Sequence, residues 1–304
     1  MFADEVPSPP ALPPELERAV FETAAYTRPL SIPKFMLVAW RVKIWLEPLL
    51  FQTIVVSRRR EHDLLADTES LRDHPTFQPH ILLPIIQSAS FPFPGASVRN
   101  LLVPWISNKD AAVILSACRC VENLWINPTG GELFHLIEDL PLKQLYCNVE
   151  DIFGPQRQID FTHRLFANIT HFEVFDGFVF KSVHPELWTG IALIPHLTHL
   201  GFNDEGLVDT WLTLLTSCKS LRVLVVLEPG LRTLIAGHPD EQILAKDPRF
   251  VAMGCEFETK DWRLGAHTGI DYWSRAEDFI VRRRSGEVDA LQYTIEEDES
   301  KSIG

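Results

Sequence analysis

The chain carries a recurring pattern of apolar positions. The pattern apolar-x-x-apolar-x-apolar begins at residues 98, 121, 142, 169, 197 and 221, and a weaker copy begins at residue 248. The intervals between these starts are 23, 21, 27, 28, 24 and 27 residues, with an average of 25. A period of this size accommodates one strand and one returning helix, so the sequence predicts a repeat protein with parallel strands.

Within each copy, side chains alternate between the two faces of the predicted strand. The apolar anchors are expected to point inward, and the interleaved residues form three columns on the outer face. The first column is predicted to contain Asn100, Asn123, Gln144, His171, His199 and Val223, the second Leu102, Trp125, Tyr146, Glu173, Gly201 and Val225, and the third Pro104, Asn127, Asn148, Phe175, Asn203 and Leu227. We call the first two of these columns the outer row.

Aromatic side chains on an exposed strand face need to be covered, so the outer row is the candidate site for a protein partner. The residues expected to contact the partner are Asn123, Trp125, Tyr146, His171, Glu173 and His199. The alternative is that a C-terminal segment or a neighbouring loop of the same chain covers the row.

The segments around the repeats have distinct patterns. Helical spacing and prolines predict a three-helix segment over residues 12–51, after a flexible lead over 1–11. Residues 52–97 are predicted to be a degenerate first repeat with an insertion, followed by the array over 98–254. A helix from Asp271 to Arg284, within a region spanning 255–285, is expected to cap the last strand, and 286–304 to be an acidic disordered tail.

Charge and cysteine content narrow the function classes. The net charge is -13, which argues against nucleic acid or an anionic membrane as the main partner. The N-terminal sequence has no secretory pattern, so an intracellular, cytoplasmic or nuclear location is expected, with a monomer outside any complex. The five cysteines include no CxxC pair and predict neither a disulfide framework nor a zinc site.

Catalytic motifs are absent from the sequence. It contains no GxSxG, Walker, GxGxxG or HExxH pattern, so no enzymatic activity and no cofactor are expected. His171 and His199 share a column on adjacent strands, and with Glu173 they could hold a metal ion. An exposed polar ladder is the favoured interpretation of these residues, and no metal site is predicted.

The N-terminal helices resemble an F-box, whose opening is Leu-Pro-x-Glu-Leu followed by an apolar-Phe pair and, later, a Trp-Arg pair. The matching residues are Leu12, Pro13, Glu15, Leu16, Val20, Phe21, Leu37, Val38, Trp40 and Arg41. With the repeats behind them, the chain is similar to the F-box-like leucine-rich-repeat proteins of mushroom-forming fungi.

This resemblance implies a non-catalytic adaptor. Its F-box-like residues would bind the Skp adaptor of a cullin ubiquitin ligase, and its repeats would hold the protein to be ubiquitinated. The expected fold is α/β, an irregular leucine-rich-repeat-like solenoid with a small N-terminal F-box-like helical cap. The alternative is a leucine-rich-repeat binding or scaffold protein whose N-terminal helices only seal the array.

Overall fold

The computed structural model describes residues 12–56, 76–90, 92–154, 158–175, 186–203, 208–227, 235, 238–255 and 258–295. Within these residues the fold is α/β, with one open parallel sheet of ten strands in the order β10-β9-β8-β7-β6-β5-β4-β3-β1-β2. The strands are β1 Thr53–Val56, β2 Thr76–Phe77, β3 Asn100–Val103, β4 Asn123–Ile126, β5 Gln144–Cys147, β6 His171–Val174, β7 His199–Phe202, β8 Val223–Leu227, β9 Phe250–Met253 and β10 Thr294–Ile295.

Helices precede, connect and follow these strands. They are α1 Pro14–Thr27, α2 Ile32–Phe35, α3 Trp40–Leu50, α4 Pro79–Ile86, α5 Asn108–Ala117, α6 Phe134–Ile137, α7 Val149–Phe153, α8 Glu186–Ile191, α9 Val208–Ser217, α10 Glu241–Lys246, α11 Glu258–Thr268 and α12 Tyr272–Ser285. Short 3₁₀ turns lie at Pro29–Ser31, Gly95–Ser97 and Arg164–Phe166. The described residues between 98 and 254 show the predicted alternation of strands and returning segments.

The inner core lies between the sheet and the connecting helices. The middle anchors of the six clear repeats align strand by strand in one apolar ladder, formed by Leu101, Leu124, Leu145, Phe172, Leu200 and Leu224. All six are fully buried in one cluster with the connecting helices. The period-two pattern thus sets which face of every strand enters this core.

The seventh copy is displaced by one residue from its predicted alignment. Phe250 pairs with Leu224, and Val251 pairs with Val225. Phe250 therefore occupies the inward anchor position and Val251 the second outer column, whereas a start at residue 248 would place Phe250 on the outer face. A shift of one residue reverses the face of every side chain in a strand.

The sheet extends at both ends beyond the predicted array over residues 98–254. At the first end, β1 pairs with β3 on one side and with β2 on the other, so the segment 52–97 contributes two strands. At the last end, β10 pairs with β9, so residues 286–295 belong to the fold and only 296–304 of the predicted tail lie outside the described residues. The predicted flexible lead over 1–11 also lies outside them.

The N-terminal helices have a core of their own. Ala25, Ile32, Val42 and Leu46 form a buried cluster separate from the cores on the sheet. Helix α2 ends at Phe35, earlier than its apolar pattern suggests, and α3 continues through Pro48 to Leu50. A bidentate ion pair links α1 to α3, since Arg41 donates to both carboxylate oxygens of Glu17 at 2.9 and 2.7 Å.

The C-terminal helices α11 and α12 lie on the outer face of the sheet. An outer core joins them to the strands, with Tyr272, Trp273, Phe279 and Ile280 packed in one buried cluster with Val225 and other outer-row residues. Helix α12 was predicted almost to its bounds, but the expectation that it caps the last strand is wrong. That end position is taken by β10, and the sheet carries a core on both faces.

Helix α12 starts and stops at defined signals. The Asp271 side chain accepts a hydrogen bond from the backbone N–H of Ser274, whose hydroxyl-bearing side chain in turn accepts from the backbone N–H of Asp271. Gly286 ends the helix in the left-handed conformation with φ 83°. These caps fix which residues α12 turns toward the sheet.

Candidate functional sites

The two columns of the outer row form as predicted. In the first column Asn100, Asn123, Gln144, His171, His199 and Val223 are direct neighbours on successive strands. In the second column Leu102, Trp125, Tyr146, Glu173, Gly201 and Val225 align in the same way. The sequence pattern therefore located every member of the row.

The expectation that this row is open to solvent is corrected by the structure. Trp125, Tyr146, Glu173 and His199 are all buried, and His171 is partly buried. The physical reason is the apolar area of the second column. Helices of the same chain remove this area from water, and this burial is favourable. The alternative that a C-terminal segment covers the row is the arrangement observed.

Polar residues of the row pair with the covering helices. Trp262 Nε1–H donates to Asn123 Oδ1 at 2.8 Å, and Trp273 Nε1–H donates to the Tyr146 hydroxyl at 2.9 Å. The Tyr272 hydroxyl donates to Glu173 Oε2 at 2.5 Å. These bonds satisfy the buried indole N–H and hydroxyl donors of Trp262, Trp273 and Tyr272, so they fix the position of α11 and α12 on the sheet.

The two histidines of the row stack on each other. Their ring centroids are 4.0 Å apart with an interplanar angle of 7°, and Trp273 contacts both rings edge-on. Burial, together with the neighbouring His199, lowers the pKa of His171 to about 3, and burial lowers the pKa of His199 to about 4. Both imidazoles are therefore neutral at neutral pH, and His199 Nε2 lies 3.1 Å from Glu277 Oε1.

The titratable groups beneath α12 have structural roles. Burial raises the pKa values of Tyr146 and Tyr272 well above their usual range, so neither phenol ionises at neutral pH. Burial also raises the pKa of Asp271, the cap of α12, to about 6. Across the described ranges, no group of three or more His, Cys, Asp or Glu side chains is placed to hold a metal ion.

An open groove remains beside the covered row. It measures about 340 Å³ and lies between the first strand residues of β3 to β6 and the turn from α11 to α12. Its wall on the sheet side is formed by Asn100, Asn123, Gln144 and His171, and its opposite wall includes Ala266 and Trp273. This is the part of the first column that α11 and α12 leave accessible.

A second candidate surface lies on the N-terminal helices. Of the predicted F-box-like residues, Leu12, Pro13, Glu15, Leu16, Val20 and Trp40 are exposed, and Phe21 is partly buried. Leu16, Val20 and Trp40 are exposed by 55, 58 and 72 %, although all three are apolar. Phe21 faces the other way and packs edge-on against Phe35 at 6.2 Å.

We define the N-terminal apolar patch by its exposed members just before α1, on α1, in the turn before α3 and on α3. They are Leu12, Leu16, Val20, Leu37, Val38, Trp40 and Ile44. Lys43 lies 5.0 Å from the centre of the Trp40 ring, and the Glu17–Arg41 pair lies between the two helices. Six of these residues belong to the F-box-like match, and Ile44 does not.

Sequence reasoning missed α11 and the partners that α11 and α12 supply to the row. Trp262 is the single large apolar side chain that α11 buries, so the helix has no apolar stripe that would reveal it. The helix that contains Tyr272, Phe279 and Ile280 was predicted, but its apolar pattern does not specify the surface on which it packs.

Comparisons of the chain with protein-family models, with curated proteins and with solved structures found no match. A search of the described helices for a membrane span found none of sufficient length and apolar character. The site residues themselves therefore carry the functional argument.

Proposed function

We propose that the protein is a non-catalytic adaptor that binds the Skp adaptor of a cullin ubiquitin ligase through the N-terminal apolar patch. The observation that carries the proposal is the location of exposed apolar side chains. Sixteen large apolar residues are exposed in the described part of the chain, and nine of them lie between Leu12 and Ile44. Such a concentration marks an interaction surface, whereas single exposed apolar residues do not.

The separate core of α1 to α3 supports this proposal. The buried residues of these helices already form a cluster of their own, so Leu16, Val20 and Trp40 are not needed to hold the helices together. The same three residues carry the resemblance to the F-box opening and its Trp-Arg pair. An F-box-like cap in front of a leucine-rich-repeat-like array is the finer interpretation of the fold that we propose.

Binding to a purified fungal Skp protein tests the proposal. The full chain is expected to capture Skp, and Leu16→Asp and Trp40→Ala are each expected to reduce capture by at least tenfold. Leu193→Asp is the matched control, because Leu193 is 59 % exposed but lies in the repeat array. Its capture of Skp should equal that of the unaltered chain.

Two outcomes would overturn the proposal. The first is that the intact chain fails to bind Skp, which would favour a leucine-rich-repeat binding or scaffold protein. The second is that all three variants bind Skp as the unaltered chain does, which would place the contact outside the patch. Exposed substitutions have small effects on stability, so unfolding is not an expected cause of lost binding.

A further inference from the structure

The charged side chains that line the groove each have a partner within the chain. Lys143 pairs with Glu122 at 2.6 Å, and Glu277 pairs with Arg222, which is not a lining residue, at 3.0 Å. The Asp271 carboxylate accepts a hydrogen bond from the backbone N–H of Ser274 at 2.9 Å. His171 in the wall is neutral because burial disfavours its charged form. A ligand for this groove is therefore recognised by hydrogen bonds and not by net charge.

Three side-chain amides of the groove wall use only part of their hydrogen-bonding capacity. Asn100 uses its Nδ2 to donate to Thr53, and Asn123 uses its Oδ1 to accept from Trp262. Gln144 uses its Oε1 to accept from Tyr146. The other amide atom of each of these three side chains has no hydrogen-bond partner among the described residues.

These free atoms present both donors and acceptors. Asn100 offers an acceptor oxygen, whereas Asn123 and Gln144 offer donor amide nitrogens. A peptide group carries one N–H donor and one C=O acceptor, so a row of side-chain amides is chemically complementary to an extended backbone. The internal bonds hold each amide in a fixed orientation, which lowers the entropy lost when a ligand binds.

The length of the wall fits a short peptide. Four neighbouring strands spaced 4.7–4.9 Å apart give a wall about 14 Å long, from β3 to β6. An extended chain advances 3.3–3.6 Å per residue, so this length corresponds to about four residues. The indole of Trp273 on the opposite wall adds an apolar surface against which a ligand side chain can pack.

We propose that this groove binds an extended, uncharged segment of about four residues from a protein partner, through hydrogen bonds between the side-chain amides of the wall and the peptide backbone. The choice of a peptide as ligand rests on the proposed adaptor function, in which the chain must hold a target protein. The groove is then the site that binds the target, because the covered part of the outer row is not accessible to it.

Selection from a displayed library of random twelve-residue peptides tests this assignment on the purified full chain. Peptides enriched on the unaltered protein are synthesised, and their dissociation constants are measured by fluorescence anisotropy. Gln144→Leu keeps the approximate volume but removes the amide, and it should weaken binding about five- to tenfold. Ala266→Arg places a long side chain in the groove and should abolish binding.

Two controls keep the result interpretable. Leu193→Asp, on the surface of the array, should leave the dissociation constant unchanged. Both groove variants should retain the far-UV circular dichroism of the unaltered chain. Gln144→Leu removes the acceptor of the buried Tyr146 hydroxyl, so it should lower the urea midpoint while the chain stays folded in buffer. If one of them unfolds, the other variant decides the test.

The assignment is overturned if no peptide is enriched, or if the enriched peptides bind the folded groove variants as tightly as the unaltered chain. Capture of Skp measured on the same proteins separates this inference from the proposed function. Gln144→Leu and Ala266→Arg should leave Skp capture intact. Peptide binding without Skp capture would sink the ligase assignment alone, and Skp capture without peptide binding would sink the groove assignment alone.

Discussion

Because the outer core is buried, we expect α12 to be as firmly packed as the helices on the inner face. The substitution Phe279→Ala tests this expectation. Phe279 is only 1 % exposed and lies in the buried cluster that joins α12 to the strands. Removing the ring takes away about 150 Å² of buried apolar area, worth about 4 kcal/mol at 25 cal/mol per Å². This agrees with the 3–5 kcal/mol measured for comparable Phe→Ala replacements in protein cores.

The assay is equilibrium urea unfolding followed by tryptophan fluorescence. The expected loss in the free energy of unfolding is about 3–5 kcal/mol, in a single transition with an unchanged slope. For a chain of 304 residues that unfolds as one unit, the same loss lowers the melting temperature by about 5–8 °C. Val281→Ala is the matched control on the same helix, because Val281 is 61 % exposed; it should change stability by less than about 0.5 kcal/mol.

The result that would refute this reasoning is a loss below about 1 kcal/mol for Phe279→Ala, equal to that of the control. A second refuting result would be unfolding in two steps, with Phe279→Ala shifting only the step at low urea. In that case α12 would detach as an independent unit. Either result would mean that α12 behaves as a movable cover and not as part of a core.

Three further predictions follow from the buried polar groups. The pKa values of His171 and His199 lie below the unfolded value of 6.5, so the unfolded state binds more protons below that pH, and the free energy of unfolding should fall as the pH drops from about 6.5 toward 4. Urea titrations at pH 7 and pH 5 should show a smaller fall for a variant in which both histidines are replaced by Asn. Equal falls for the variant and the unaltered chain would contradict the assignment. Tyr272→Phe removes the hydrogen bond that the Tyr272 hydroxyl donates to Glu173 within the outer core, so stability should drop by about 1–3 kcal/mol in urea unfolding. No measurable change would disprove the contribution of that bond. Burial raises the pKa of Cys118 to about 12, so this thiol should resist a disulfide reagent at pH 8 until urea is added, and rapid labelling found by peptide mapping would contradict its burial.

Much of the sheet was predictable because its information is local. Alternation with period two sets the face of each strand residue, and the repeat spacing sets which residues are neighbours on successive strands. This is why Trp125, Tyr146 and Glu173 were correctly placed in one column. The weak seventh copy was misaligned by one residue, because Phe250 and Val251 are both apolar and their order does not identify the inward one.

The cover on the row was not predictable because it depends on contacts between distant parts of the chain. The polarity of Glu173 and His199 is typical of an exposed position, and their burial becomes clear only with Tyr272 and Glu277 as partners. The short strand β10 was missed for a related reason. It consists of two residues beside an acidic tail and is defined by its pairing with β9 and not by its own pattern.

The bond from Trp262 to Asn123 joins residues 139 positions apart, and other bonds from α11 and α12 reach back over comparable distances. In an open solenoid each unit contacts only its neighbours, so units can be duplicated or deleted with little effect on the rest. In this protein, the insertion or deletion of one strand would move Asn123, Tyr146 and Glu173 away from their partners by one strand spacing. The number of repeats between β4 and α12 is thus fixed by the geometry of the cover, and the array can change its length only if its C-terminal helices change with it.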